Sequence, residues 1–217
     1  MSAHGVKARG YDNSRRAGQA RATRQRIVEV ARELLLAQGY AATTIAKVAK
    51  AAGVSSETVQ KGFGTKAALA KAVYDVTLVG DDEPVPLRDR PEFAPIAAET
   101  DPARKLERYA AVGRALWERL GPLLDVLMQG AQAGEPDLVA FVATIRRESY
   151  AGASGLVDHL AALGALRPEV PIEQARDELW LIIQPEMYRL LVGERGWSLD
   201  AVQAWLARTA IAALLPS

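Results

Sequence analysis

Between Thr43 and Lys66 the chain reads TTIAKVAKAAGVSSETVQKGFGTK, two short helical segments joined through a glycine. Thr44 is placed to cap a helix with Ile45, Val48 and Ala49 on its inner face, and Gly53 supplies the tight turn that ends it. Ser55 then caps a second helix, with Val59 and Phe63 turned inward. Apolar Val48, Val54, Val59 and Phe63 lock such a pair together, leaving Ser56, Glu57, Gln60 and Lys61 outward. A helix pair of this kind can place its second helix in the major groove of DNA. It can equally be a plain helical hairpin with a solvated polar face.

The flanking sequence completes a compact unit. A helix begins near Thr23, with Ile27, Val30, Ala31, Leu34 and Leu35 on one stripe, and Gly39 ends it. Thr65 caps a fourth helix that buries Leu69, Val73 and Val76. Residues 1–20 show no periodicity and read as a disordered basic arm; residues 21–79 read as a three-helix helix-turn-helix domain with its following helix. Residues 80–100 hold four prolines and a cluster of acids and read as a linker without regular structure.

Residues 101–217 read as a larger helical bundle, which brings the expected total to about nine helices in an all-α chain. Asp101 and Pro102 form an N-cap and first-turn proline for a helix to about Leu120, and a shorter one runs from Pro122 to Ala133. The segment Pro136–Leu163 is periodic but holds Gly152 and Gly155, which leaves one helix or two. Helices over 172–192, kinked at Pro185, and 199–214, capped by Ser198, end the chain. Their faces, Leu179, Ile183, Met187 and Leu191 on one and Val202, Leu206 and Ile211 on the other, exceed what one bundle is expected to bury.

Charge separates the two parts. Residues 1–80 carry 13 Lys and Arg against 5 Asp and Glu, a net of +8, while the remainder sums to −7. A basic first third, with Arg15, Arg16, Arg21 and Arg24 just ahead of the helix pair, suits a polyanion. The chain has no cysteine, and no uncharged apolar run approaches the roughly 18 residues of a membrane span. A cytoplasmic protein without a membrane partner is expected. His4 and His159 are the two histidines; neither they nor carboxylates such as Asp125, Glu178 and Glu186 form a catalytic or metal-binding pattern. The sequence therefore predicts no enzyme, no metal and no cofactor.

The stretches RQRIVEVARELLLAQGYAATTIAKVAKAAGVS and ETVQKGFGTKAAL, within residues 23–73, resemble the DNA-binding domain of the tetracycline-repressor (TetR) family of bacterial regulators. The resemblance covers nearly a quarter of the chain, with cap, turn and core positions matching in order. It implies phosphate contacts for Thr44 and Lys66. It also implies groove-facing roles for Ser55, Ser56, Glu57, Thr58, Gln60 and Lys61, beside the arginines Arg21 and Arg24. Two positions depart from the family: Gln60 stands where tyrosine is usual, and Gly62 where histidine is frequent.

For residues 101–217 the resemblance implies a dimerising, ligand-binding domain. Small Ser149 and Gly152 within a stripe of large residues leave either a close helix crossing or a void, and Trp117, Met128, Gln129, Trp180 and Gln184, with Tyr150, are placed to line one. The implied partners are an inverted-repeat DNA operator, a second copy of the chain and an unidentified small-molecule effector that releases a repressor from its operator. The alternative is a helical ligand- or partner-binding module whose helix-turn-helix no longer reads DNA, which the departures at Gln60 and Gly62 favour.

Overall fold

The computed structural model describes residues 7–80 and 90–216, with side chains given from residue 15 onward. The expected arm over residues 1–6 and the linker over residues 81–89 lie outside the described residues. Among those described there are ten α-helices, one π-helical segment and no strand. The chain divides into two units, one ending at Asp75 and the other beginning at Val76.

In the first unit α1 (Lys7–Ala42), α2 (Ile45–Ala52) and α3 (Ser56–Phe63) are followed by α4 (Lys66–Val79), which continues past the unit boundary. The core is Ile27, Val28, Ala31, Leu35, Tyr40, Val48, Ala49, Ala52, Val59, Leu69, Ala70 and Val73. The helix expected from Thr23 begins at Lys7, which corrects the reading of residues 7–20 as part of a disordered arm. No proline lies between Lys7 and Ala42. Once burial of Ile27 and Ala31 has nucleated the helix, each further residue adds a backbone hydrogen bond. Gly39, at φ 77° and ψ 174°, breaks the helix where expected. The exposed carbonyls there are taken by side chains: Thr43 Oγ1 donates to Gly39 O at 2.8 Å, and Lys47 Nζ to Ala42 O at 2.8 Å.

Gly53 sits at φ 67° and ψ 34°, the left-handed conformation that costs other residues about 1–2 kcal/mol. A Cβ there meets nothing within 4 Å, so the cost of a side chain is conformational alone. Gly53→Ala is expected to lower stability by about 1 kcal/mol and Gly53→Asn by less, since asparagine tolerates this region. Thermal melts of the two variants check this; equal losses would show that backbone conformation is not the cause.

The second unit holds α5 (Ala94–Ala98), α6 (Pro102–Gln132), α7 (Pro136–Ala162), α8 (Ile172–Ile182), α9 (Pro185–Tyr188), a π-helical segment (Arg189–Glu194) and α10 (Leu199–Leu214). α6 packs on α7 and α10, and α8 packs on the same two helices. The core they share includes Leu106, Ala153, Leu156, Val157, Leu160, Leu179, Ala210 and Leu214. A second cluster gathers Ala110, Tyr188, Val202, Leu206 and Ala207.

Four expectations for this unit need correction. The supposed linker contains α5, whose Pro95 occupies the first turn, where its missing N–H is harmless, and whose Ile96 is buried. α6 runs through Pro122 as one helix. A proline inside a helix costs about 3 kcal/mol, but Leu120, Leu123, Leu124 and Leu127 around it are buried, each contributing about 1.5–3 kcal/mol. Pro185 does the opposite and separates two helices: Gln184 before it is extended, at φ −64° and ψ 144°. Its side chain donates to Trp180 O at 2.8 Å, and its own N–H turns to Leu181 O. Finally, Leu179, Val202 and Leu206, expected on an unsatisfied apolar face, are fully buried in the unit's own core. α7 is a single helix because Gly152 and Gly155 lie on its exposed side.

Candidate nucleic-acid interface

The α2–α3 pair is built by its caps. Thr44 Oγ1 accepts from Lys47 N at 3.2 Å, and Ser55 Oγ accepts from Thr58 N at 3.0 Å. Across the turn Val54 N–H reaches Ala49 O at 3.0 Å, closing the end of α2 around Gly53. Val59 is 0% exposed and fixes the rotation of α3 about its axis. Ser56, Glu57, Thr58, Gln60 and Lys61 are all exposed on this helix. Ser55 and Thr58 share a hydroxyl hydrogen bond at 2.8 Å. Ser56, Glu57, Gln60 and Lys61 occupy positions i, i+1, i+4 and i+5, one continuous polar stripe. Donors and acceptors of this kind suit base edges and phosphate oxygens.

Several cations surround this stripe. Arg21 is exposed on α1, and Lys50, which sequence reasoning passed over, is exposed in the last turn of α2. Arg24 and Lys66, both expected to meet DNA, are engaged inside the unit. Arg24 Nη1 donates to Gly62 O at 3.1 Å, with its guanidinium 4.3 Å above the Phe63 ring. Lys66 Nζ donates to Tyr40 O at 3.2 Å and lies 3.9 Å over the Tyr40 ring. These partners lie 38 and 26 residues away, beyond any local signal.

Of the expected ligand-site residues, the second unit places some in two separate aromatic pairs. Trp117 stacks on Tyr188 with centroids 4.3 Å apart and planes at 15°. Tyr188 is buried, its hydroxyl has no hydrogen-bond partner, and burial pushes its pKa far above the ordinary range. Trp180 meets Tyr150 edge-on at 6.0 Å, and its indole N–H is likewise buried without a partner. Gln184 is buried against Trp180 O. Met128 and Ser149 are half-buried.

Gln129 and Gly152 fall on the surface, and a side chain at 152 would project into open space. The inner stripe of α7 passes instead through Ile145, Ala153 and Leu156. Tyr188 went unnoticed in the sequence because nothing local places it against Trp117. A groove of about 460 Å³ lies elsewhere, lined by Glu107, Asp200, Gln203, Ala204, Ala207, Arg208 and Ile211, and includes none of these residues.

Among the described residues no helix is long and apolar enough to cross a membrane, and no group of His, Cys, Asp or Glu is arranged to hold a metal. His159 Nδ1 lies 3.2 Å from the ammonium of Lys105, a fully buried lysine that also donates to Ile96 O.

Comparison with known proteins agrees with the geometry of the first unit. Residues 27–73 match the family model of bacterial regulatory proteins of the tetR family. An uncharacterized HTH-type transcriptional regulator of Bacillus subtilis (strain 168), YdeS, is 28% identical over 170 residues, covering 78% of this chain and 79% of the relative. The fold is shared with NalD of Pseudomonas aeruginosa, a secondary repressor of the MexAB-OprM multidrug efflux pump. There the TM-score is 0.70 and the identity 21%, over 91% of this chain and 99% of NalD. It is also shared with SmeT, solved in complex with triclosan, at a TM-score of 0.67 and 18% identity over 90% of this chain and 93% of SmeT. The helix-turn-helix domain is thus similar to that of bacterial regulatory proteins of the tetR family, and the all-helical fold is the one NalD and SmeT adopt.

Proposed function

We propose that the chain is a homodimeric repressor that binds an inverted-repeat operator through α3 and is released from it by a small molecule held in the second unit. Residues 21–79 form the DNA-binding domain in this reading, and residues 101–217 the dimerising and ligand-binding domain. The observation that carries it is the stripe Ser56, Glu57, Gln60 and Lys61, exposed on a capped helix whose rotation Val59 fixes. Repression is supported by the likeness to NalD, and response to an aromatic effector by the likeness to SmeT bound to triclosan. The buried hydroxyl of Tyr188 and indole N–H of Trp180 support it further. Leaving a buried donor unpaired costs about 1–3 kcal/mol, a cost that a ligand acceptor removes. Release is a population shift: the effector binds more tightly to the arrangement that does not fit the operator.

Selection of bound fragments from a random DNA pool tests this. The expected product is an inverted repeat whose half-site centres lie about 34–36 Å, or a multiple of that, apart. Light scattering at micromolar concentration should give twice the mass of the 23.3 kDa chain. A monomer would remove the two-fold operator from the reading. Recovery of no sequence would favour a helical binding module whose helix pair no longer reads DNA.

A further inference from the structure

We propose that Arg24 is a positioning residue for α3, holding the end of the helix that carries Gln60 and Lys61, and is not itself a DNA contact; this rests on the DNA-binding reading of α3. The last carbonyls of an α-helix have no donor within the helix. In α3, Gln60 O takes the N–H of Gly64, and Phe63 O takes that of Thr65. Gly62 O is taken by Arg24, reaching from α1. The guanidinium lies over Phe63, the half-buried residue through which the end of α3 rests on its unit. A cation at this end also opposes the partial negative charge of the helix C-terminus.

The need for such a clamp is local. Gly62 follows Gln60 and Lys61 directly, and glycine is the residue that least resists leaving the helical conformation. Its Cβ position is open, with nothing within 4 Å, and its φ lies outside the left-handed region. The helix end is therefore soft by sequence and held from outside. Arg24 suits this double task because a planar guanidinium stacks on a ring and donates in its own plane, whereas an ammonium does not.

The test is a set of binding titrations with the full chain against its selected operator and single-base variants, at several salt concentrations. Arg24→Ala is expected to weaken binding about five- to seventyfold, the combined worth of one exposed cation–π contact and one hydrogen bond. Discrimination at the base pair facing Gln60 should flatten, with the salt slope unchanged. Arg24→Lys should keep most of the defect. Gly62→Ala, which stiffens the helix end without touching Arg24, should restore discrimination in the Arg24→Ala background.

A salt slope lower by about one per half-site, with base preference intact, would make Arg24 a phosphate contact and overturn the proposal. An Arg24→Ala variant indistinguishable from the parent would overturn it equally. If the parent chain selects no DNA, the DNA-binding reading fails separately, and amide exchange over residues 62–65 then decides the clamp. Faster exchange in Arg24→Ala, slowed again by Gly62→Ala, upholds it; unchanged exchange sinks it.

Discussion

Lys105→Ala is expected to destabilise the second unit by about 3 kcal/mol, while Lys105→Met stays within about 1 kcal/mol of the parent at neutral pH. Lys105 is 0% exposed, and its ammonium donates to Ile96 O and lies 3.2 Å from His159 Nδ1. Alanine removes a packed four-carbon stem from a closed site and strips Ile96 O of its donor. Methionine keeps most of the volume and removes the buried charge, so the lost hydrogen bond is offset by the desolvation it no longer requires.

The same residue gives a signature in pH. Burial lowers the Lys105 pKa below its ordinary 10.5, with the Glu99 carboxylate opposing the shift in part. Between the lowered value and 10.5 the unfolded chain holds a proton that the folded chain has released. Stability therefore rises with pH across that window. The parent should gain on Lys105→Met as the pH rises toward 10.5, a difference that denaturant titrations at stepped pH would resolve. A difference that stayed flat or reversed sign would show that charge burial at Lys105 costs nothing.

Two prolines show where the sequence stopped being legible. The sequence places Pro122 at the start of a helix and Pro185 inside one, yet α6 passes through the first and the chain breaks at the second. What differs is distant packing: four buried leucines hold α6 together around Pro122. At Pro185, Gln184 turns its side chain back to Trp180 O and so satisfies a carbonyl that a continuous helix would have used. Signals that act within one turn were readable in advance. Thr44, Ser55, Asp101 and Ser198 all accept the backbone N–H expected of an N-cap. The outward stripe on α3 was equally readable, because Val59 and the caps fix it locally. The engagement of Arg24 and Lys66 was not, since each bonds a carbonyl at the end of a different helix. The stacking of Trp117 on Tyr188 was hidden for the same reason, as those rings come from α6 and α9.

With Arg24 and Lys66 occupied, sequence discrimination by α3 is expected to rest on Gln60, and the strength of its electrostatic attraction on Lys61. Both side chains are exposed and, among the described residues, free of hydrogen bonds and ion pairs. A glutamine amide can bond adenine N6 and N7 together, a contact worth about 1–3 kcal/mol of discrimination against another base. Gln60→Ala should therefore relax preference at one base pair per half-site, by about five- to one-hundredfold, with the salt slope unchanged. Gln60→Tyr should tighten binding across sequences, because a tyrosine there clamps the backbone and carries little sequence information. Lys61→Ala should act the opposite way to Gln60→Ala, weakening all sequences alike and lowering the salt slope by about one per half-site. Titrations of the three variants against a set of single-base operator changes, at three or more salt concentrations, separate the two roles. Should Gln60→Ala leave both affinity and base preference as they were, Gln60 is a solvated helix residue, and recognition must come from Ser56, Glu57 or Thr58 nearer the start of α3.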